Sequence, residues 1–389
     1  MSRRPRLPGT VYALGFVSFC TDLGSEMIVP LLPALFASLG AGMLQLGLLQ
    51  GISDLLVAFL RIASGWLSDR QQRRVPWLLF GYGLSTLMRP LFALVQGPWQ
   101  ALAVRAADRV GKGLRSAPRD ALIADVVEPA QRGRAFGVQR ALDHAGAMCG
   151  ALLASLLVYL GMQVRTVFAW SLLPGLGAVL LLALAVREPA PRQRPVEAGP
   201  APGSTRQLTP FLLVVGLAAV ASVIDLFVIA RALELGAAPA ALPLLWALLH
   251  LVRSTFAAPL GALSDRWGRR AVIGVGLLGQ VLVLVGFALT DSLPIVWLLG
   301  AVLGLHAAFT EGAERGFVAD LVGSKVRGRG FGAYYCVHGL ASFGGAALVG
   351  WSWDRFGAGA GFAVAAAATG LAGLVLLLFV RGPVRAAIR

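Results

Sequence analysis

Asp22 and Glu26 stand four residues apart in an otherwise apolar stretch, so they share one face of any helix built from it. Two carboxylates held together in low dielectric cannot both ionise easily, which favours a single exchangeable proton between them. A second concentration, Asp108, Arg109, Lys112, Arg115, Arg119 and Asp120, falls within thirteen residues. Positions 108, 112, 115 and 119 recur with helical spacing, so much of that charge faces one way. Asp54, Asp225, Arg231, His250 and Arg253 are further ionisable groups embedded in apolar runs. Each charge at the centre of a bilayer costs at least about 2.5–3.5 kcal/mol on insertion scales. Such residues therefore pair with one another, or line a path for a proton or a polar solute.

No catalytic set accompanies them. The sequence lacks H-E-x-x-H, G-x-S-x-G and any Cys–His cluster with ligand spacing, so neither an enzyme nor a metal site is expected. Gly274-Val-Gly276-Leu-Leu-Gly279 matches a dinucleotide fingerprint but sits inside an apolar run with no preceding strand, and Gly111-Lys112-Gly113 lacks the full phosphate loop. No cofactor is implied. Cys20, Cys149 and Cys336 lie singly in apolar sequence and read as helix-packing residues.

The elements that position these charges follow from composition. Of 389 residues, 57% are hydrophobic and 14% charged, against roughly 25% charged in soluble chains. A membrane-spanning helix needs about 20 apolar residues. Apolar runs divide the chain into twelve such spans, at 9–37, 45–68, 75–96, 99–124, 134–160, 164–186, 208–233, 241–264, 271–290, 294–320, 330–352 and 359–380. Prolines at 189, 191, 195, 200 and 202 mark a solvated linker. The expected domains are an N-terminal six-helix bundle (1–187), a cytoplasmic linker (188–207) and a C-terminal six-helix bundle (208–389). At a rise of ~1.5 Å per residue, Arg109 and Asp22 lie about 15 Å into their spans, and Asp54 and His250 about 22 Å from the edge marked by the loop aspartates.

The formal charge of +15 first suggests nucleic acid. Its distribution argues otherwise. With both termini on one side, the short loops and tails of that side carry 21 Lys and Arg, while the opposite side carries Arg165 and Arg355. That bias places both termini in the cytoplasm of a multi-pass protein of the cytoplasmic (inner) membrane and leaves no role for nucleic acid.

The two halves repeat. Gly65-Trp-Leu-Ser-Asp69-Arg70-Gln-Gln-Arg73-Arg74 returns as Gly261-Ala-Leu-Ser-Asp265-Arg266-Trp-Gly-Arg269-Arg270, displaced by 196. Arg132-Gly-Arg-Ala-Phe-Gly137 returns as Arg327-Gly-Arg-Gly-Phe-Gly332, displaced by 195. Parallel repeats place a substrate site near the midplane. The repeated loop motif resembles the signature of the major facilitator superfamily, and with span count, repeat and linker the resemblance covers essentially the whole chain. In the first copy Gln72 replaces the usual glycine. Arg109-Val-Gly-Lys112-Gly113 resembles the Arg-x-x-Gln-Gly motif of proton-coupled drug antiporters, with Lys112 in the Gln position. Gly146 and Gly150 supply part of the antiporter motif of the fifth span, without its proline.

The resemblance implies an all-α membrane protein with two six-helix bundles related by a pseudo-two-fold axis along the membrane normal. It implies a conformational latch at Gly65, Asp69, Arg70, Arg73, Gly261, Asp265, Arg266 and Arg269; fixing topology is the alternative role for those charges. Asp22, Glu26, Asp54, Arg109, Lys112, Asp225, His250 and Arg253 are the expected substrate and proton-coupling residues. The leading expectation is a secondary transporter that exports a small solute by alternating access, with protons as coupling ion, their gradient as energy source and the lipid bilayer as surroundings. An importer or facilitator of a small anion or metabolite is the alternative favoured by the basic fourth span. A non-transporting membrane receptor is the third reading, and the many midplane charges count against it.

Overall fold

A computed structural model describes residues 7–71, 73–128, 131–188, 208–321 and 327–380, which form α-helices and, among the described residues, no strand. The helices are α1 (Gly9–Glu26), α2 (Leu32–Ser38), α3 (Met43–Gln71), α4 (Val75–Met88), α5 (Pro98–Val126), α6 (Arg132–Tyr159), α7 (Val164–Trp170) and α8 (Leu172–Ala185). They continue with α9 (Leu208–Ala219), α10 (Ile224–Glu234), α11 (Ala241–Trp267), α12 (Arg269–Leu289), α13 (Leu293–Leu321), α14 (Arg327–Phe356) and α15 (Ala358–Phe379). Three pairs, α1/α2, α7/α8 and α9/α10, are single rods broken near the middle, which makes twelve rods at the positions expected from the apolar runs. Of the expected linker, Glu188 is described and 189–207 lie outside the described residues.

The breaks have local causes. Pro30 and Pro33 cannot donate to the preceding turn, so α1 ends at Glu26 and restarts as α2 after a 3-10 turn. Pro90 likewise stops α4 and passes the chain into a 3-10 turn, Arg89–Ala93, leaving Arg89 at the break.

By length and composition, eight of the rods are apolar enough to cross a membrane. Charge lowers the count, because α5 carries the basic stripe and the strongly apolar part of α11 is confined to Ala241–Phe256. Burial is inverted relative to a soluble protein. Leu184 is 79% and Leu289 81% exposed, whereas Asp108 is 0% exposed. Apolar side chains face outward and ionised ones inward, as hydrocarbon surroundings require. The three cysteines are half-buried and free.

The chain clusters into two compact units, one formed by Met1–Ala41, Ile52–Arg194 and Ala237–Ala247, the other by Gly42–Gly51, Pro195–Gly236 and Leu248–Arg389. Both use the same helix pairings. In the first, α1 packs on α6 and α8, and α4 on α5 and α8; in the second, α9 packs on α14 and α15, and α12 on α13 and α15. The repeat read from the loops therefore extends to the packing. It also extends to backbone geometry, since Gly161 and Gly357, 196 residues apart, both end a helix at φ 89°, where an L side chain is strained.

Small residues set these pairings. A Cβ at Gly150 of α6 would lie 2.2 Å from the Leu23 carbonyl oxygen of α1, and one at Gly146 would lie 2.3 Å from that of Phe19. The counterpart of Gly150 is Gly345 of α14, whose Cβ would lie 2.4 Å from Cα of Val220. Gly150→Ala therefore forces α1 and α6 apart and is expected to cost about 1–3 kcal/mol. Gly344→Ala, into open space, is expected to leave stability unchanged or slightly higher. Thermal unfolding of the two purified variants checks this, and equal midpoints would contradict it.

Candidate functional site

The polar interior of the first unit is organised by Asp108 of α5. Its Oδ1 accepts from Arg89 Nε at 3.1 Å, and its Oδ2 from Arg109 Nε at 2.9 Å and Nη2 at 2.6 Å. Arg105 Nη1 stands 3.8 Å away, beyond hydrogen-bond reach. All four side chains are buried, and Arg89 also donates to the Thr21 carbonyl at 2.7 Å. Three guanidiniums thus share one carboxylate, and Arg105 Nε has no hydrogen-bond partner. About two turns on, Arg115 donates to Ser85 Oγ at 2.6 Å and lies 4.5 Å from the centre of the Tyr82 ring. Beyond it Asp120 is bracketed by Arg61 and Arg119, each at 3.0 Å. The charged stripe is therefore ion-paired at both ends, around Asp108 and around Asp120.

Asp22 meets a carboxylate other than the one its spacing suggests. It lies beside Asp143 of α6, near enough for each carboxyl group to act on the other, and Lys112 is close enough to act on both electrostatically. The parallel packing of α1 and α6 creates the contact: Gln139 donates to Ser18 at 3.1 Å, and one turn further along both helices come Asp143 and Asp22. Two buried carboxylates side by side repel one another, which favours a proton shared between them. Glu26 accepts instead from Ser25 Oγ at 3.2 Å and Trp246 Nε1 at 2.7 Å, still near enough to act on Asp22. Asp54 lies half-buried on α3.

In the second unit Asp225 accepts from Arg253 Nη2 at 2.8 Å, with His250 and His306 close enough to act on it. Asp225, His250 and Arg253 are thus brought together. Arg231 is not among them; it binds the Thr290 carbonyl at 3.0 Å and pairs with Asp291. A cavity of about 240 Å³ adjoins the cluster, lined by Asp225, Arg253, His306, Glu314, Tyr334 and His338 among others. Tyr334 donates to Glu314 at 3.1 Å, and His306 Nδ1 lies 2.8 Å from the Gly276 carbonyl, which requires that nitrogen to carry the proton. Gly276 belongs to the dinucleotide-like triplet, here a helix-packing element of α12. Among the described residues no group of His, Cys, Asp and Glu could hold a metal ion.

The first loop motif closes on Arg74. Asp69 accepts from Arg74 Nη2 at 2.8 Å, Asp125 from its Nε at 2.9 Å and Ser68 Oγ from its Nη1 at 3.3 Å. Burial works against this charge, but the two carboxylates outweigh it and hold the Arg74 pKa above the usual guanidinium value. Glu188 accepts from the backbone N–H groups of Arg74 and Val75 at 2.8 and 2.9 Å, capping α4. Arg70 lies over the Trp66 ring, Arg73 is exposed, and Gly65 packs against Ala117. In the second copy Arg269 pairs with Asp320 at 3.2 Å, while the side chains of Gly261, Asp265 and Arg266 lie outside the described residues.

Sequence reasoning left Arg89, Arg105, Asp108, Asp143 and Arg74 out of the site. Their signal was present as charge inside apolar spans, but partnership across distant helices has no local spacing to reveal it. Asp108→Asn removes the carboxylate that two buried arginines hydrogen-bond and a third faces at 3.8 Å, and is expected to cost about 3–5 kcal/mol. Arg105→Gln, which loses no hydrogen bond, is expected to cost far less. Folded yield and unfolding midpoint of the two variants distinguish them, and equal losses would contradict the hub role of Asp108.

A family model of the Major Facilitator Superfamily matches residues 14–231 and 208–389. An uncharacterized MFS-type transporter of Methanocaldococcus jannaschii is 31% identical over 355 residues, covering 89% of each chain. The multidrug resistance protein MdtH of Cronobacter sakazakii is 27% identical, covering 85% of this chain and 83% of its own. The crystal structure of the nucleoside transporter NupG superposes with a TM-score of 0.80 at 12% identity, over 95% of this chain and 99% of that one, a likeness of fold alone. Twelve helical rods in two units with the same pairings, a twice-used loop motif and these matches lead to one assignment: the chain belongs to the Major Facilitator Superfamily.

Proposed function

We propose that this protein is a secondary transporter that exports a small solute across the cytoplasmic membrane by alternating access, driven by proton entry. The proximity of Asp22 and Asp143 carries this reading, because two buried carboxylates side by side favour a shared, exchangeable proton. Lys112 beside the pair offers the charge that replaces that proton when it leaves: one carboxylate can turn to the ammonium once both are ionised. Asp108 and its arginines hold α5, and with it Lys112, in place. The excess of Lys and Arg in the loops supports cytoplasmic termini. Export draws support from the similarity to a multidrug resistance protein.

A second reading, uptake of a small anion, is favoured by Arg105, a buried guanidinium whose Nε is bonded to nothing. It shares the same carrier fold and differs in cargo and direction. Proteoliposomes with an imposed pH gradient and a small-molecule panel separate the two. Under the first reading Asp22→Asn and Asp143→Asn each lose gradient-driven accumulation by more than tenfold while keeping downhill exchange. Full gradient-driven activity in either variant sinks the coupling role, and gradient-independent exchange confined to anions, lost in Arg105→Gln, would establish the second reading instead.

A further inference from the structure

The two copies of the loop motif spend their closing arginines differently. In the first, Arg74 is taken up by Asp69, Asp125 and Ser68. In the second, Asp320 occupies the place of Asp125, 195 residues on, yet its partner is Arg269, one residue before the counterpart of Arg74. Two glycines permit the exchange. Gly268, at φ 91°, turns the chain where the first copy has Gln72. Gly316, where the first copy has Ala121, leaves room for the Arg269 guanidinium: a Cβ there would lie 1.8 Å from Nη1. Among the described residues Arg270 is consequently left with one hydrogen bond, from Nη2 to the Leu377 carbonyl at 2.8 Å, and its Nε is buried without a partner.

Arg270 stands at the end of a cavity of the second unit, about 1030 Å³, running between α12 and α15. That is at the top of the range of about 300–1,000 Å³ usual for small-molecule pockets. Apart from Thr369 and, at the Arg270 end, Arg269 with its partner Asp320, its walls are apolar, with Gly274, Gly370 and Gly373 opening its floor. Leu278 and Leu374 on its rim are 62% and 56% exposed and so belong to the hydrocarbon-facing surface. Trp267, 63% exposed, lies at the same end as the arginines, where an indole suits the headgroup level of a membrane. Charge at one end of a long apolar groove that opens to hydrocarbon is complementary to a lipid with an anionic headgroup, and not to a soluble metabolite, which would leave most of the groove unfilled.

We propose that this groove binds an anionic phospholipid of the surrounding membrane, its phosphate at Arg270 and one acyl chain along α12 and α15. The site does not depend on proton coupling or on the cargo. Native mass spectrometry of the purified full-length protein, with phosphatidylglycerol and phosphatidylcholine added in turn, tests it. Wild type retains phosphatidylglycerol in preference to phosphatidylcholine. Arg270→Gln weakens phosphatidylglycerol binding about fivefold, the effect of one basic residue at a lipid headgroup. Gly373→Leu, whose side chain enters open space in the groove without meeting a neighbouring atom at Cβ, removes the tightest-bound phosphatidylglycerol while the thermal midpoint holds. Equal retention of the two lipids by wild type, or unchanged phosphatidylglycerol binding in Gly373→Leu, would mean only unselective surrounding lipid and would overturn the proposal.

Discussion

Asp108 has no accessible surface, yet it holds two arginines by hydrogen bonds and stands 3.8 Å from a third. An ion placed among apolar side chains has no water to turn to, so its partners must be supplied by the fold. Arg89 reaches Asp108 because Pro90 breaks the helix at that level, and Arg89 then ties the cluster to α1 through the Thr21 carbonyl. Helices α1, α4 and α5 are thereby registered by a single carboxylate. Asp22 is the residue next to Thr21, so the position of the Asp22–Asp143 pair is set by the same anchor. Removing a half-exposed pair such as Arg61–Asp120 would leave water as a substitute. Asp108 has none.

The repeat gives the two units the same helix pairings and different chemistry. Gly111 of α5 lies against Gly81, while its counterpart His306 bonds the Gly276 carbonyl. Arg119–Asp120 corresponds to Glu314–Arg315, with the order of charge reversed, and Asp143 corresponds to His338. Small residues at the crossings, such as Gly150 and Gly345, stayed equivalent because backbone contact leaves no alternative. Polar positions diverged, since a site tolerates any set of groups that satisfies its own charges. The same freedom separates Arg74, fully bonded, from Arg270, which keeps donors to spare.

Much of this architecture was legible in the sequence. Span positions follow from apolar run length, and the offset of 195–196 residues predicted equivalent helices, which the shared pairings and the matched turns at Gly161 and Gly357 bear out. Asp225 and Arg253 stood out in the sequence as charges inside consecutive apolar spans, and the structure pairs them. Partner choice within the first unit was not legible. Spacing along α1 pairs Asp22 with Glu26, but helix packing offers Asp22 a carboxylate 121 residues away and gives Glu26 an indole instead. Nor did the loop motif show that Asp69 would choose Arg74 over Arg70, since the choice depends on Asp125 holding Arg74 from a third helix.

A proton held between Asp22 and Asp143 has a direct spectroscopic signature. Infrared difference spectra of the protein in lipid membranes, recorded near neutral pH in H2O and D2O, report the carbonyl stretch of any protonated carboxyl group. The account predicts a band from a buried protonated carboxyl that shifts on deuteration, titrates with bulk pH, and is absent from both Asp22→Asn and Asp143→Asn. A spectrum without such a band, or a band that survives in both variants, would contradict the shared proton and with it the coupling mechanism.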